Sequence, residues 1–156
     1  MANTNQPLFP MRECTHVAIE VRDLKKAMDF FFKVFGWGPW ERKDVERKAI
    51  LRGKLVEYKG LRAWLRLGSV LLEVGETHGE STHTEFLASH GGGLHHLAFE
   101  VDDVREAVSK LEKIGVPILQ VGIGEDGKYT FAYIDTREAS TGNIILELVP
   151  HKGNVS

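Results

Sequence analysis

Residues 16–33 read HVAIEVRDLKKAMDFFFK, and residues 96–113 read HLAFEVDDVREAVSKLEK. At a constant offset of 80, His16/His96, Ala18/Ala98, Glu20/Glu100, Asp23/Asp103 and Ala27/Ala107 are identical pairs. Val17/Leu97, Ile19/Phe99 and Met28/Val108 keep their apolar class. Chance supplies a few such matches, but not a matched pattern with a matched periodicity, so the chain carries an internal repeat.

Each copy opens on an alternating strand, 16–21 or 96–101, and switches at an Asp (Asp23, Asp103) suited to capping a helix. Leu24, Ala27, Met28, Phe31 and Phe35 then recur at helical spacing, as do Val104, Ala107, Val108, Leu111 and Ile114. Gly36 and Gly115 supply C-terminal stops. Three strands follow each helix. The pattern predicts 47–58, 61–67 and 69–75 in the first copy, with turns at Lys59-Gly60 and Leu67-Gly68-Ser69. In the second it predicts 117–122, 129–135 and 143–149. The expected fold is α+β: two tandem βαβββ modules forming a curved mixed sheet around a metal-binding cleft. The modules span 14–75 and 94–150 of a single domain, 14–150. The connector 76–93 holds a short helix near 83–89 and three glycines. Residues 1–13 read as an N-terminal arm and 151–156 as a C-terminal tail.

With 156 residues the chain is long enough for one domain with a sizeable core. A formal net charge of −2 excludes a strongly basic nucleic-acid surface, and no apolar run reaches the roughly 20 residues of a membrane span. The first residues lack the basic-then-apolar order of a signal peptide, and the single Cys14 forms no intrachain disulfide. A cytoplasmic location is the expectation. Cys14, just ahead of an apolar strand, reads as a small buried hydrophobe.

Strand alternation sorts the side chains. Val17, Ile19 and Val21 face one way, and His16, Ala18 and Glu20 the other; the second copy repeats this, so His16 and His96 face equivalent surfaces. The last strands, LLEVGE (71–76) and ILELVP (145–150), each set one glutamate, Glu73 or Glu147, among apolar residues. A carboxylate buried there unpaired costs several kcal/mol and must find a cation, lose its charge or reach water. Any one strand histidine or glutamate alone is an ordinary rim residue. Four related by the repeat predict one shared divalent ion held by His16, Glu73, His96 and Glu147. This donor set suits Co, Mn, Zn, Ni or Fe. His95 has the opposite parity and no histidine partner in the first copy, so a supporting role is expected for it. Glu20 and Glu100 read as strand-rim residues, and His78, His83 and His90 as solvated.

The motifs HVAIEVRDLKKAMDFF, FGWGPW, GGGLHHLAFEVDDV and GNIILELV resemble those of the vicinal oxygen chelate superfamily, over roughly residues 14–150. That superfamily includes glyoxalases, extradiol dioxygenases, bleomycin- and fosfomycin-resistance proteins and methylmalonyl-CoA epimerases. The likeness is strongest to methylmalonyl-CoA epimerase, through TEFLASHGGGLHHLAFEVDD. Carried over position by position, that family's ligands fall on His16, Glu73, His96 and Glu147, with His96 taken from the histidine pair. The chain departs from the epimerases at 135–142, DTREASTG, where they carry a His-Pro-Lys-Ser-like turn near the thioester.

The resemblance implies a metal-dependent isomerase or epimerase. It would act by proton transfer next to a carbonyl or thioester, through a metal-stabilised enolate. Glu147 would serve as both ligand and acid/base group, and Glu57, in LVEYKG, as the second acid/base. An acyl-CoA thioester is the implied small-molecule partner, and a homodimer the implied assembly. The first alternative is a lactoylglutathione lyase-like enzyme using the same donors. The second is a binding or resistance protein with Trp37, Trp40, Trp64 and Tyr133 lining an aromatic groove.

Overall fold

The computed structural model describes residues 5–142 and 144–152. Its elements run β1 Cys14–Glu20, α1 Leu24–Phe35, β2 Glu41–Leu51, β3 Lys54–Leu67 and β4 Val70–Gly79, then α2 Thr82–His90. The second half repeats the order as β5 Gly93–Val101, α3 Val104–Lys113, β6 Ile118–Ile123, β7 Tyr129–Asp135 and β8 Ile145–Pro150. Two βαβββ units are therefore present, and their strands close into one barrel, β1-β4-β3-β2-β6-β7-β8-β5.

Local chemistry explains the helices. Asp23 and Asp103 accept from the backbone N–H groups of Lys26 and Glu106, satisfying donors that the first helical turn leaves unpaired. Gly36 closes α1 in the left-handed conformation. The apolar stripe of α1 packs through Leu24, Ala27, Met28 and Phe31 on Ala63, Leu72 and Val74 of β3 and β4. The stripe of α3 packs through Val104, Ala107 and Val108 on Val121, Ala132 and Leu148. Each fully buried leucine or valine here contributes about 1.5–3 kcal/mol. Both helices thus seal the outer faces, leaving the inner faces to form a site.

The strand order is as expected, but the first module's boundaries are not. The β2–β3 turn falls at Arg52-Gly53, both at positive φ (43° and 84°), rather than at Lys59-Gly60. Lys59 and Gly60 lie inside β3, paired with Glu46 and Val45 on one side and with His78 and Thr77 on the other. Gly60 is there for close approach, because a Cβ would lie 2.3 Å from the Glu76 carbonyl oxygen. The sequence signal of a turn and of a crowded strand is the same glycine. Cys14 is exposed rather than buried, at the start of β1. Among the described residues no helix is long and apolar enough to cross a membrane.

Candidate metal centre

The repeat places its two carboxylates in equivalent registers. Glu73 pairs across from Ala18 in the parallel β1–β4 ladder, and Glu147 across from Ala98 in the parallel β5–β8 ladder. Each therefore sits beside the alanine two residues beyond its own module's histidine. Ala18 and Ala98 are buried and small, leaving the adjacent histidines and glutamates to converge.

Three of the four predicted donors meet. Glu147 Oε2 lies 3.2 Å from His16 Nε2 and 3.1 Å from His96 Nε2, and the two imidazole nitrogens are 3.2 Å apart. The Glu147 oxygen, though buried, receives no aligned hydrogen bond. Glu73 stands one step outside. Its Oε2 is 3.9 Å from His16 Nε2 and accepts from the Trp64 indole N–H at 2.8 Å, while Arg62 Nε lies 3.6 Å from Oε1.

This triangle fits a cation. Donor atoms sharing one ion at about 2.1 Å stand roughly 3–3.4 Å from each other. A buried carboxylate oxygen facing two ring nitrogens at 3.1–3.2 Å carries negative charge for an ion to take up. The electrostatics agree. Burial alone would raise the Glu147 carboxyl, but the imidazoles of His96 and His16 outweigh it and hold it well below the usual carboxylate range. Burial alone would lower His16, yet Glu147 and Glu73 raise it. Without a metal, a proton on His16 is the cation this cluster attracts.

The structure does not bring Glu57 to the cluster. It stands directly across from Lys48 on β2, its carboxylate 3.6 Å from Lys48 Nζ and its side chain 72% exposed. Strand alternation puts it on the face opposite Tyr58 and Arg62, at the rim of the cleft. The expected aromatic groove is also divided. Trp64 and Tyr133 line the cleft, whereas Trp37 and Trp40 pack with Phe31 under α1.

The sequence pattern missed the inward placement of His95 and the burial of His83. His95 is fully buried beside His96, because the β1–β5 register skips it: Ala18 pairs with His96 and Ile19 with Leu94. This bulge cancels the parity rule and turns both histidines inward. His83, expected in solvent, is 2% exposed, since the connector folds α2 against the barrel. Its Nδ1 donates to Glu20 Oε2 at 2.9 Å, and its Nε2 accepts from the Tyr133 hydroxyl at 2.8 Å. Burial and the Arg62 charge hold His83 well below its ordinary pKa, so the ring is neutral. Burial, with the Glu147 charge, pushes Tyr133 well up, so its hydroxyl stays protonated. Glu20 is consequently a buried partner of His83, not a rim residue. Glu100 lies nearer the strand end and meets His151 Nδ1 at 2.6 Å. The signal for His83 lay in its place on a short capped helix, Ser81 to His90, which had to be packed somewhere.

The cleft above the triangle encloses about 1160 Å³, with Val45, Arg47, Tyr58, Phe131 and Val149 among its walls. Its size admits a small organic substrate.

Comparison with known proteins agrees with this architecture. The family model described as Glyoxalase/Bleomycin resistance protein/Dioxygenase superfamily matches residues 15–133. Mouse mitochondrial methylmalonyl-CoA epimerase is 28% identical over 148 residues, covering 92% of this chain and 76% of that protein. Lactoylglutathione lyase of Pseudomonas putida is 29% identical over 115 residues, covering 65% of this chain and 66% of that protein. Among solved structures, Streptomyces coelicolor methylmalonyl-CoA epimerase in complex with 2-nitronate-propionyl-CoA superposes with a TM-score of 0.59 at 18% identity. That superposition covers 92% of this chain and 99% of the other.

Proposed function

This chain belongs to the glyoxalase/bleomycin resistance protein/dioxygenase superfamily, and from that premise we propose a divalent-metal-dependent isomerase of the epimerase kind. It removes and returns a proton on a carbon next to a carbonyl or thioester. The observation that carries this reading is the triangle of His16 Nε2, His96 Nε2 and Glu147 Oε2, with edges of 3.1–3.2 Å. These three residues would hold the ion, and Glu73 would supply the fourth donor once its carboxylate turns from Trp64. An ion bound there supplies Lewis-acid stabilisation of the negative charge that develops on the substrate's carbonyl oxygen.

The chain's own groups divide the remaining work. Glu147 would be the carboxylate that takes up a proton from the substrate carbon. Arg62 and Trp64 hold Glu73 and set its approach. Tyr133, bonded to His83, walls the site beneath the substrate and excludes water from that side. The relatives named as methylmalonyl-CoA epimerases support an acyl-CoA thioester as substrate. A homodimer in the cytoplasm remains part of the proposal.

A second reading, a lyase-type isomerisation of the lactoylglutathione lyase kind, is favoured by the position of Glu57. With its carboxylate on the rim and 3.6 Å from Lys48 Nζ, Glu57 does not stand opposite Glu147 as a two-base inversion would require. Both readings share the ion and Glu147. Proton–deuterium exchange followed by NMR separates them, using methylmalonyl-CoA with Mn²⁺ or Co²⁺. Exchange at the carbon next to the thioester is the expected result. Turnover of methylglyoxal plus glutathione, with no exchange on any acyl-CoA, would replace the first reading by the second.

A further inference from the structure

The inner face of β2 carries one cation in an otherwise apolar run. Val45, Ala49 and Leu51 alternate inward and are buried, and Arg47 stands between them on the same face. Directly across the ladder from Arg47 is Tyr58, buried on β3. Opposed residues of two paired strands share a face, so Arg47 and Tyr58 line the cleft together.

The other face of this hairpin shows what Arg47 lacks. There Glu46 stands opposite Lys59, and Lys48 opposite Glu57, so each charge meets its opposite across the ladder. Arg47 meets a phenol instead. Among the described residues it has no carboxylate partner, and its Nη1 donates to the carbonyl of the neighbouring Glu46 at 3.1 Å. Glu125, on the β6–β7 turn, lines the same cleft without pairing to it. Arginines elsewhere are committed: Arg12 to Asp102, Arg52 to Glu85 and Arg137 to Asp135.

The guanidinium also stands within reach of the cluster's surroundings. Its charge acts on the Tyr58 hydroxyl. The Tyr58 ring lies 6.2 Å from that of His83, and His83 lies 6.0 Å from His96. The wall beside them is apolar. Phe131 fills the space over Gly122, where a Cβ would lie 2.2 Å from the ring, and Gly122 pairs with Ala49 next to Arg47 on the inner face. A ligand in the cleft thus meets the cluster's donors, an aromatic wall and an unneutralised guanidinium.

We propose that Arg47 is a specificity-determining residue that binds an anionic group of the substrate, a carboxylate or phosphate distal to the reacting carbonyl. A planar guanidinium presents paired N–H donors that match either oxyanion bidentately. A few convergent polar groups in an apolar pocket fix a ligand's orientation. The substrate class is then an anionic carbonyl compound, not a neutral ketone or aldehyde. This inference deepens the proposed function and rests on it for the carbonyl end alone. The anion comes either from the acyl part, as a second carboxylate, or from the carrier, as a phosphate of coenzyme A.

Calorimetric titration of the full chain separates these sources. The probes are methylmalonate, with carboxylates and no phosphate, and coenzyme A, with phosphates and no carboxylate. S-acetyl-N-acetylcysteamine, a neutral thioester, is the third. Arg47→Met should weaken at least one anionic probe about 10–100-fold, the scale of a hydrogen bond to a charged group, and leave the neutral thioester unchanged. Arg47→Lys keeps the charge but not the fork, and should recover part of the loss. Lys48→Met removes the same charge from the outer face and should leave all three probes unchanged.

Loss on methylmalonate assigns Arg47 to the acyl carboxylate, and loss on coenzyme A assigns it to the phosphates. No binding of either anion by wild type, wild-type affinity for both in Arg47→Met, or an equal loss in Lys48→Met would overturn the proposal. Arg47-dependent binding of an anion, with no proton exchange on any acyl-CoA, would overturn the epimerase reading alone.

Discussion

Trp64 donates its indole N–H to Glu73 Oε2 at 2.8 Å, and this one bond separates two carboxylates that the repeat makes equivalent. Glu147, in the same register of the other module, has no such donor and reaches both histidines. Unequal ligands are the consequence. Glu147→Gln should cost at least about a hundredfold in divalent-ion affinity, and Glu73→Gln only about tenfold. Calorimetric titration with Mn²⁺ or Co²⁺ measures both, and equal losses would show that Glu73 swings fully into the site.

Glu57 tests the division between rim and interior. Its carboxylate is exposed and pairs with Lys48, so Glu57→Gln should change turnover by less than about threefold, the scale of a weak surface ion pair. A loss of kcat of the hundredfold size typical of a missing general base would bring Glu57 back into the chemistry.

The buried histidines set the acid sensitivity of the fold. His83 and His95 are held neutral, chiefly by burial, with pKa values well below the ordinary 6.5. Below pH 6.5 the unfolded chain takes up protons that the native chain refuses, so their stability contribution is full above that pH and declines beneath it. The loss is about 1.4 kcal/mol per histidine at one pH unit below. Urea denaturation at pH 7.5 and 5.5 reads it, and His83→Gln should remove one histidine's share of the difference. His16 works in the opposite sense in the metal-free protein. Its raised pKa gives stability that is present below pH 6.5 and is lost as pH rises through the native value.

Gly60 tests the inner packing of β3. A Cβ there would meet the Glu76 carbonyl oxygen at 2.3 Å and Arg62 Nη1 at 3.0 Å. Gly60→Ala should destabilise by about 1–3 kcal/mol through forced backbone shifts. Gly53→Ala, in the β2–β3 turn with open space around it, should be limited to the strain of its positive φ. Denaturation midpoints of the two variants compare the effects, and an unchanged Gly60→Ala would contradict the packing at this strand crossing.

The βαβββ order was legible because the repeat states it twice, and because Asp23 and Asp103 mark both helix starts. The side on which His16 lies followed from alternation, and His96, Glu73 and Glu147 were found through the repeat, the glutamates standing alone among apolar residues. What failed were places where alternation is interrupted or outvoted by tertiary contact. The β5 bulge reversed His95, since a one-residue insertion in a ladder leaves no mark on the chain itself. His83 and Glu20 looked polar and local, but their burial depends on α2 folding across 63 residues of sequence to meet β1. Glycine misled at Gly60, where it signals proximity of another backbone and not a turn.

The central claim is that His16, His96 and Glu147 form one divalent-cation site. Elemental analysis of the protein purified without chelators tests it most directly. About one divalent ion per chain is expected in wild type, and none in His96→Ala. Retention of a full equivalent by the His96→Ala variant would contradict the account.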